Sequence, residues 1–373
     1  MLTKNETNRY GRQIQLADFG VEGQQRLKEA RIVVVGAGGL GCPVIQYLAA
    51  AGVGNITIVD GDLVSESNLQ RQLLYTHTDI GMHKAIQAAK RAKEINPFIQ
   101  ITPNCTFLNV NVAFELIGVA DLVVDCTDNF GTRYLINDVC VYLNKPFVSA
   151  ALFKYEGQLS IYNVKTNDGY SANFRSVFPE SENTRQALDC NAAGVIATLP
   201  GLMGLYQANE VIKYFVDQAF CLTNKLLSVD CKRMTHQVFE LNDENTTIAF
   251  SKEEILNKTY VLPCFKEEKK VKLNLLDLVS SLDDEKTMLV DVRELSEEPR
   301  LENLKHLVIP LSEFEKRCEE LNSYSRVIFI CKSGVRSARA KASVEDIYTE
   351  IKFEVCDFGV ERLMQELNES VLL

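Results

Sequence analysis

The sequence predicts an α/β protein: a doubly wound, mostly parallel sheet in the larger N-terminal part and a smaller α/β domain at the C-terminus. A continuous run of apolar, mostly β-branched residues at 32–35 is typical of a strand buried on both faces. A glycine-rich turn and an apolar helical stretch follow, and a second such strand covers 56–59. Strands at 288–294 and 326–330 also alternate with helical stretches. This alternation indicates parallel sheets covered by helices.

Length and composition indicate two domains. A chain of 373 residues is too long for one typical core. Its net charge of −10 argues against a nucleic-acid partner, which normally requires a basic face. Residues 1–12 are too polar for a signal peptide, and glycines and a proline interrupt the longest apolar stretch, 33–54. Eleven cysteines without framework spacing indicate reduced thiols. We therefore expect a cytoplasmic protein without a membrane segment.

The turn after the first strand has the pattern of a nucleotide site. Gly36, Gly38 and Gly41 fit G-x-G-x-x-G, in which glycine lets backbone N–H groups approach a phosphate. The helix that follows presents unpaired donors and the positive end of its dipole. Asp60 ends the next strand, about 20 residues further on, where an acidic side chain can accept from a ribose hydroxyl.

A polar segment then offers cationic groups. Asn68, Arg71 and Lys84 could bind a triphosphate, which needs more positive charge than a glycine turn provides, and no Walker sequence supplies a lysine. The same residues could equally be a polar loop and a solvated helix face. Asp128 follows a predicted strand at 122–125, at the end of the sheet where ligands bind. It could hold magnesium or cap the next helix, and the sequence leaves both open.

Ordered motifs in the first part of the chain carry a family resemblance. They are Arg9-Tyr-x-Arg-Gln13, Gly36-Ala-Gly-Gly-Leu-Gly41, Ser67-Asn-Leu-Gln-Arg-Gln72, Lys84 and Asp125-Cys-Thr-Asp-Asn129. Over about residues 5–240 the chain resembles the MoeB/ThiF (HesA) family of ubiquitin-activating-enzyme-like adenylyltransferases, whose sheet is Rossmann-like. The resemblance implies ATP-dependent adenylylation of the C-terminal Gly-Gly carboxylate of a ubiquitin-like sulfur carrier protein.

Position by position, the resemblance also implies an ATP and magnesium site. The nucleotide-binding residues would be Gly36, Gly38, Gly39, Gly41, Asp60, Ser67, Asn68, Leu69, Gln70, Arg71, Lys84, Asp128 and Asn129. Arg71, Lys84 and Asp128 would be catalytic, with Asp128 as the metal ligand. Arg12 would reach into the site of a partner subunit, which implies a homodimer. A general base is not needed, because a C-terminal carboxylate is already ionised at neutral pH.

Two further features concern cysteine. Family members that continue to sulfur transfer have a cysteine on a crossover loop at the place of Cys190; a small buried thiol is the alternative. The family usually has two C-x-x-C pairs that bind zinc. Here the place of the first pair reads Asn173-Phe-Arg-Ser176, and the second pair is absent near 243–247. Asparagine and serine are poor zinc ligands, so we expect no zinc.

Residues 271–373 resemble a rhodanese domain. The likeness rests on the strand ending in Asp291-Val-Arg-Glu294 and on a loop from Cys331 to Arg336. A thiol at the head of a loop that enters a helix favours the thiolate. The persulfide loop would consist of Cys331, Lys332, Ser333, Gly334, Val335 and Arg336. A phosphatase loop, the close competitor, has one more residue between cysteine and arginine.

Together these features predict an adenylyltransferase domain at 1–245, a linker at 246–270 and a rhodanese-like domain at 271–373. The predicted activity is carrier adenylylation followed by sulfur transfer from a Cys331 persulfide to give a thiocarboxylate, in a molybdopterin, thiamin or tRNA thiolation pathway. The sulfur donor is not identified. Two alternatives remain: an NAD-dependent oxidoreductase, which the glycine turn and Asp60 suit equally well, and a non-catalytic sulfur-relay scaffold in which only the rhodanese half is active.

Overall fold

The structure, a computed structural model, consists of two compact units, Met1–Cys264 and Phe265–Leu373. The structure describes residues 1–180, 194–241, 249–260, 278, 281–282, 284–301, 304–332, 334–345, 347–348, 350–356, 359–360 and 363–364.

The first unit is built on a mixed sheet. Its strands are β1 Arg31–Val35, β2 Asn55–Val59, β3 Gln100–Asn104, β4 Leu122–Asp125, β5 Phe147–Phe153, β6 Glu156–Tyr162, β9 Lys225–Asp230 and β10 Thr235–Glu240. A separate small hairpin consists of β7 Lys165–Thr166 and β8 Gly169–Tyr170. In the described chain the strand order is β10-β9-β6-β5-β4-β1-β2-β3. Strands β1 to β5 are parallel, and β6, β9 and β10 extend the sheet in antiparallel fashion.

Helices cover both faces of this sheet. They are α1 Lys4–Arg9, α2 Gly11–Ile14, α3 Gly20–Glu29, α4 Gly41–Ala51, α5 Lys84–Ile95, α6 Val110–Val119, α7 Phe130–Tyr142, α8 Phe174–Val177, α9 Thr198–Val216 and α10 Lys252–Asn257. Along β1, Ile32 and Val34 pack in the core with α3, α4, α5 and α9, whereas Val33 and Val35 pack with α6 and α7. Burial on both faces explains the continuous apolar run of β1. The predicted doubly wound sheet is confirmed.

Part of the expected linker belongs to the first unit. Ser251 caps helix α10 in a reciprocal capping box with Glu254. Ile255 is fully buried and packs in the core that contains α6 and α7. The described residues 249–260 are therefore packed rather than extended, because this short amphipathic turn has an apolar face to bury. Residues 261–277 lie outside the described part of the chain.

The second unit contains a smaller parallel sheet, as expected. Its strands are β11 Thr287–Asp291, β12 His306–Val308, β13 Arg326–Ile330 and β14 Lys352–Val355, in the order β12-β11-β13-β14. Two described helices are α11 Phe314–Arg317 and α12 Val335–Val344. In neither unit does the described chain contain a helix with the length and apolarity that a membrane crossing requires.

Candidate active site

The turn after β1 depends on glycine for steric reasons. Gly36 has a φ of +93°, and a Cβ there would lie 2.7 Å from the carbonyl oxygen of Cys126. A Cβ at Gly41 would lie 2.1 Å from the carbonyl oxygen of Gly36. Helix α4 can therefore begin directly against the turn. The backbone N–H groups of Gly38 and Gly39 donate to no acceptor within the described residues, so they are available to an anion.

Asp60 fixes this turn from the end of β2. One carboxylate oxygen accepts from the N–H of Ala37 at 2.7 Å, and the other from the N–H of Asp62 at 2.8 Å. Burial raises the pKa of Asp60 above its ordinary value, although both hydrogen bonds and Lys84 act in the opposite direction. The predicted ribose ligand is thus also the residue that anchors the glycine turn to β2.

Two cationic side chains face the same cavity. Arg71 lies in a tight turn, where its Nη1 donates to the carbonyl oxygen of Ser67 at 3.1 Å. Lys84 begins helix α5, and its buried Nζ lies 2.9 Å from the carboxylate of Asp62. Since Asp62 is half exposed, it can release this lysine to a more strongly charged phosphate.

The end of β4 brings a carboxylate and a guanidinium to the site. Asp128 is exposed and accepts no hydrogen bond within the described chain, whereas Asn129 caps helix α7 by accepting from the N–H of Thr132 at 2.9 Å. Asn129 rather than Asp128 is therefore the cap of helix α7. Magnesium binding is the interpretation of Asp128 that remains. Buried Arg133 donates to the carbonyl oxygens of Thr127 and Ala150, at 2.7 and 2.8 Å, and so fastens the turn to β5.

These groups surround one cavity of about 520 Å³ at the carboxyl ends of the parallel strands. Of the predicted residues, Gly36, Gly38, Gly39, Asp60, Arg71, Lys84, Asp128 and Asn129 line it.

The other predicted nucleotide residues do not line this cavity: Arg12, Gly41, Ser67, Asn68, Leu69 and Gln70. Ser67 and Asn68 support the turn instead, since their carbonyl oxygens accept from Arg71. Arg12 is exposed on helix α2. Cys190 lies outside the described residues.

Several cavity residues are absent from the sequence prediction: Asp62, Gln72, Thr106, Phe107, Arg133, Phe153, Glu156, Gln158 and Pro200. Pro200 is the clearest case. A Cβ at Gly39 would lie 2.9 Å from the Pro200 Cβ, so helix α9 closes tightly on the glycine turn. The sequence distance between them hides this contact.

The predicted persulfide loop follows β13 in the second unit. The N–H of Gly334 donates to the Cys331 sulfur at 3.1 Å, and Gly334 has a φ of +82°. Such a backbone donor favours the thiolate. Arg336 pairs with both carboxylate oxygens of Glu297, which lowers the pKa of Glu297 to about 2. Lys332 is described, Val335 by its backbone only, and Ser333 lies outside the described residues.

Gly359 supports this loop and was not predicted. A Cβ at Gly359 would lie 2.0 Å from the carbonyl oxygen of Lys332. Glycine therefore lets the chain after β14 approach the loop closely.

A charged network occupies the place of the family's first cysteine pair. Arg175 is buried, and its guanidinium binds both carboxylate oxygens of Asp138, at 2.5 and 2.9 Å. It also donates to Glu180 at 2.9 Å and stacks 4.3 Å from the ring centroid of Tyr134. No cluster of potential metal ligands occurs among the residues that the structure describes.

Comparisons with known proteins identify the family. A model of the ThiF family matches residues 10–249. The chain is 43% identical over 229 residues to a sulfur carrier protein adenylyltransferase of Thermus thermophilus, which covers 61% of this chain and 84% of that protein. It is 34% identical over 356 residues to a probable adenylyltransferase/sulfurtransferase, MoeZ, of Mycobacterium tuberculosis, covering 92% of this chain and 89% of that protein.

Solved structures agree with the fold. The crystal structure of E. coli MccB with ATP has a TM-score of 0.54 and 25% identity, covering 64% of this chain and 72% of that chain. The predicted adenylyltransferase class is confirmed. The chain belongs to the ThiF family.

Proposed function

We propose that the protein uses ATP to adenylate the C-terminal Gly-Gly of a ubiquitin-like sulfur carrier protein and then converts the product to a thiocarboxylate. The observation that carries the proposal is the convergence of open backbone amides at Gly38 and Gly39 with Arg71, Lys84 and Asp128 in one cavity. This set matches a triphosphate, because it combines an anion-binding turn, two cations and a carboxylate.

The adenylylation step needs charge stabilisation rather than proton transfer. A carboxylate oxygen of the carrier forms a bond to the α-phosphorus of ATP, and the bond to the bridging oxygen of pyrophosphate breaks. Negative charge then increases on the phosphate oxygens. Arg71 and Lys84 are placed to stabilise it, and Lys84 would exchange Asp62 for a phosphate.

Asp128 fits a magnesium ion. Its carboxylate lies in the cavity wall and is not used by the cap of α7. In nucleotide sites magnesium is commonly held by one or two carboxylates and the phosphates themselves. When bound, the ion would neutralise part of the phosphate charge.

An open sheet surface beside the cavity is suited to the carrier. Residues directly opposite each other in antiparallel strands share a face, and the register places Gln158, Ser228 and Gln237 in one row. Phe153 and Phe239 lie on the same face and are each about half exposed. Because Phe153 also lines the cavity, a carrier docked on this surface could direct its C-terminus inward.

Sulfur transfer would use Cys331. The terminal sulfur of its persulfide attacks the acyl carbon, and AMP leaves. A second thiol, for which Cys190 is the candidate, cleaves the sulfur–sulfur bond and releases the thiocarboxylate. The disulfide left on the protein would be reduced by an external thiol. The Gly334 N–H on the Cys331 sulfur supports this role.

The proposal includes a homodimer. Arg12 is exposed and lies outside the cavity of its own chain, as the family pattern requires of a residue that serves a partner. Exposed apolar side chains lie in the segment 63–86, which contains Arg71 and Lys84, namely Leu63, Leu73, Met82 and Ile86. A second copy of the chain would bury them.

ATP–pyrophosphate exchange tests the function with each Gly-Gly-ended carrier encoded by the same genome. We expect exchange with one carrier and its loss in Lys84→Ala. The variant Cys331→Ala should retain exchange and lose thiocarboxylate formation. If no carrier supports exchange while Cys331 shows thiosulfate sulfurtransferase activity, the scaffold alternative is correct.

A further inference from the structure

Gln72 is a buried polar residue in the cavity wall with an unpaired amide oxygen. The residue is 3% exposed, and its Oε1 accepts no hydrogen bond within the described chain. Buried polar atoms without a partner are rare in folded proteins, and each calls for an explanation, such as strain, a catalytic role or a bound group that completes it. Neither the predicted nucleotide residues nor the steps above assign a role to this side chain.

The backbone of Gln72 is held firmly. Its N–H donates to the carbonyl oxygen of Asn68 at 3.0 Å, and its carbonyl oxygen accepts from the N–H of Tyr75 at 3.1 Å. The side-chain nitrogen lies 3.6 Å from the position that a Cβ at Gly38 would occupy. The amide is therefore placed beside the glycine turn, at the end of the cavity that we assign to the phosphates.

The missing partner must be a hydrogen-bond donor. Phosphate oxygens and an ionised carboxylate only accept, so they cannot complete Oε1. The ribose hydroxyls would lie towards Asp60 at the end of β2. Among the groups of the carrier, the donor nearest the reacting carboxylate is its last peptide N–H, which has to enter this end because the carboxylate has to reach the α-phosphorus.

We propose that Gln72 accepts a hydrogen bond from the backbone N–H of the carrier's terminal residue and so aims the adjoining carboxylate at the α-phosphate. This inference rests on the proposed adenylylation. It makes Gln72 a substrate-positioning residue that recognises the peptide backbone, which a glycine tail leaves unobstructed by side chains.

The test compares two forms of the carrier that supports exchange with the wild-type enzyme. One form is natural. The other, made by semisynthesis, ends in glycolate, so that an ester oxygen replaces the last peptide N–H. We expect the ester to lower kcat/KM for the carrier about tenfold in the wild type. Gln72→Met should show a similar loss with the natural carrier, no additional loss with the ester, and an unchanged KM for ATP.

Gln25→Met serves as the matched control, because Gln25 lies on helix α3 and bonds to Glu29 away from the cavity. It should respond to the ester as the wild type does. An equal ester effect in Gln72→Met and wild type would overturn the inference while leaving adenylylation intact. If Gln72→Met does not fold, indifference of the wild type to the ester overturns the inference by itself. Wild-type enzyme without exchange on any natural carrier overturns both proposals.

Discussion

Tyr260 donates a hydrogen bond to the carboxylate of Asp138 at 2.8 Å, across 122 residues of sequence. Burial and the nearby carboxylate raise the pKa of Tyr260 above its ordinary value, so it remains a donor at neutral pH. The same carboxylate binds Arg175. In this way the segment 249–260 is joined to helices α7 and α8 at the place where the resemblance puts the family's first zinc-binding cysteine pair.

The first prediction is that Arg175, rather than a metal, stabilises this region. Arg175→Met leaves the Asp138 carboxylate buried without its cation, which typically costs about 3–5 kcal/mol. We expect Tm to fall by roughly 10 °C, and a chelator to leave the Tm of the wild type unchanged. Thermal unfolding followed by circular dichroism measures both.

Arg233→Met is the control for this prediction. Arg233 pairs with Asp230, but its side chain is 77% exposed. Such surface pairs contribute about 1 kcal/mol or less, so Tm should change little. A fall in Tm on chelation, or equal effects of the two arginine variants, would contradict the assigned role of Arg175.

Structural features that depend on neighbouring residues could be predicted from the sequence. Gly36 needs a positive φ for the turn and Gly41 lies against the carbonyl oxygen of Gly36, so both requirements are local, and β4 has the bounds that its apolar run predicts. Helix α10 had a readable signal that our prediction did not use, the capping box from Ser251 to Glu254. The charged composition around it suggested a linker instead.

Contacts between residues that are far apart in the sequence could not be predicted from it. Arg133 reaches the carbonyl oxygen of Ala150, and Pro200 closes on Gly39, only after β5 and helix α9 have packed. Gln72 is the last residue of the motif Ser67–Gln72, yet its burial depends on the same packing. A single sequence gives the residue types of a site but not which of them lose contact with water.

A second prediction separates ATP from a dinucleotide. ATP with magnesium should raise Tm by roughly 5–10 °C at about 100 times Kd, and NAD should not. Arg71→Ala and Lys84→Ala should reduce the ATP shift, because both side chains line the cavity. Asp60 variants do not discriminate, since a ribose is common to both ligands. A shift with NAD alone would favour the oxidoreductase.

A third prediction concerns the proposed dimer. Arg12→Ala and Lys84→Ala should each be inactive in ATP–pyrophosphate exchange. After subunits are mixed in equal amounts and exchanged, each mixed dimer would contain one site with both residues intact. Activity should therefore return to about a quarter of the wild-type value. If Arg12 serves the site of its own chain, mixing will restore no activity. The control is a mixture of Lys84→Ala with Arg71→Ala, which should also restore no activity, because both residues belong to the site of the same chain.

The last prediction concerns pH and the second unit. The hydrogen bonds from Arg336 lower the pKa of Glu297 from 4.5 to about 2. A carboxylate with a lowered pKa in the folded state contributes stability that is complete above its unfolded value and disappears as the pH falls through the folded one. The difference in free energy of unfolding between wild type and Glu297→Gln should therefore be constant above about pH 5.5. It should shrink steadily between about pH 4.5 and 2, as measured by urea unfolding followed by circular dichroism. Glu298, which is largely exposed, provides the matched variant Glu298→Gln, whose difference from wild type should stay close to zero at every pH. A wild-type advantage over Glu297→Gln that persists unchanged to pH 2 would mean that the advantage does not come from the ionised carboxylate paired with Arg336.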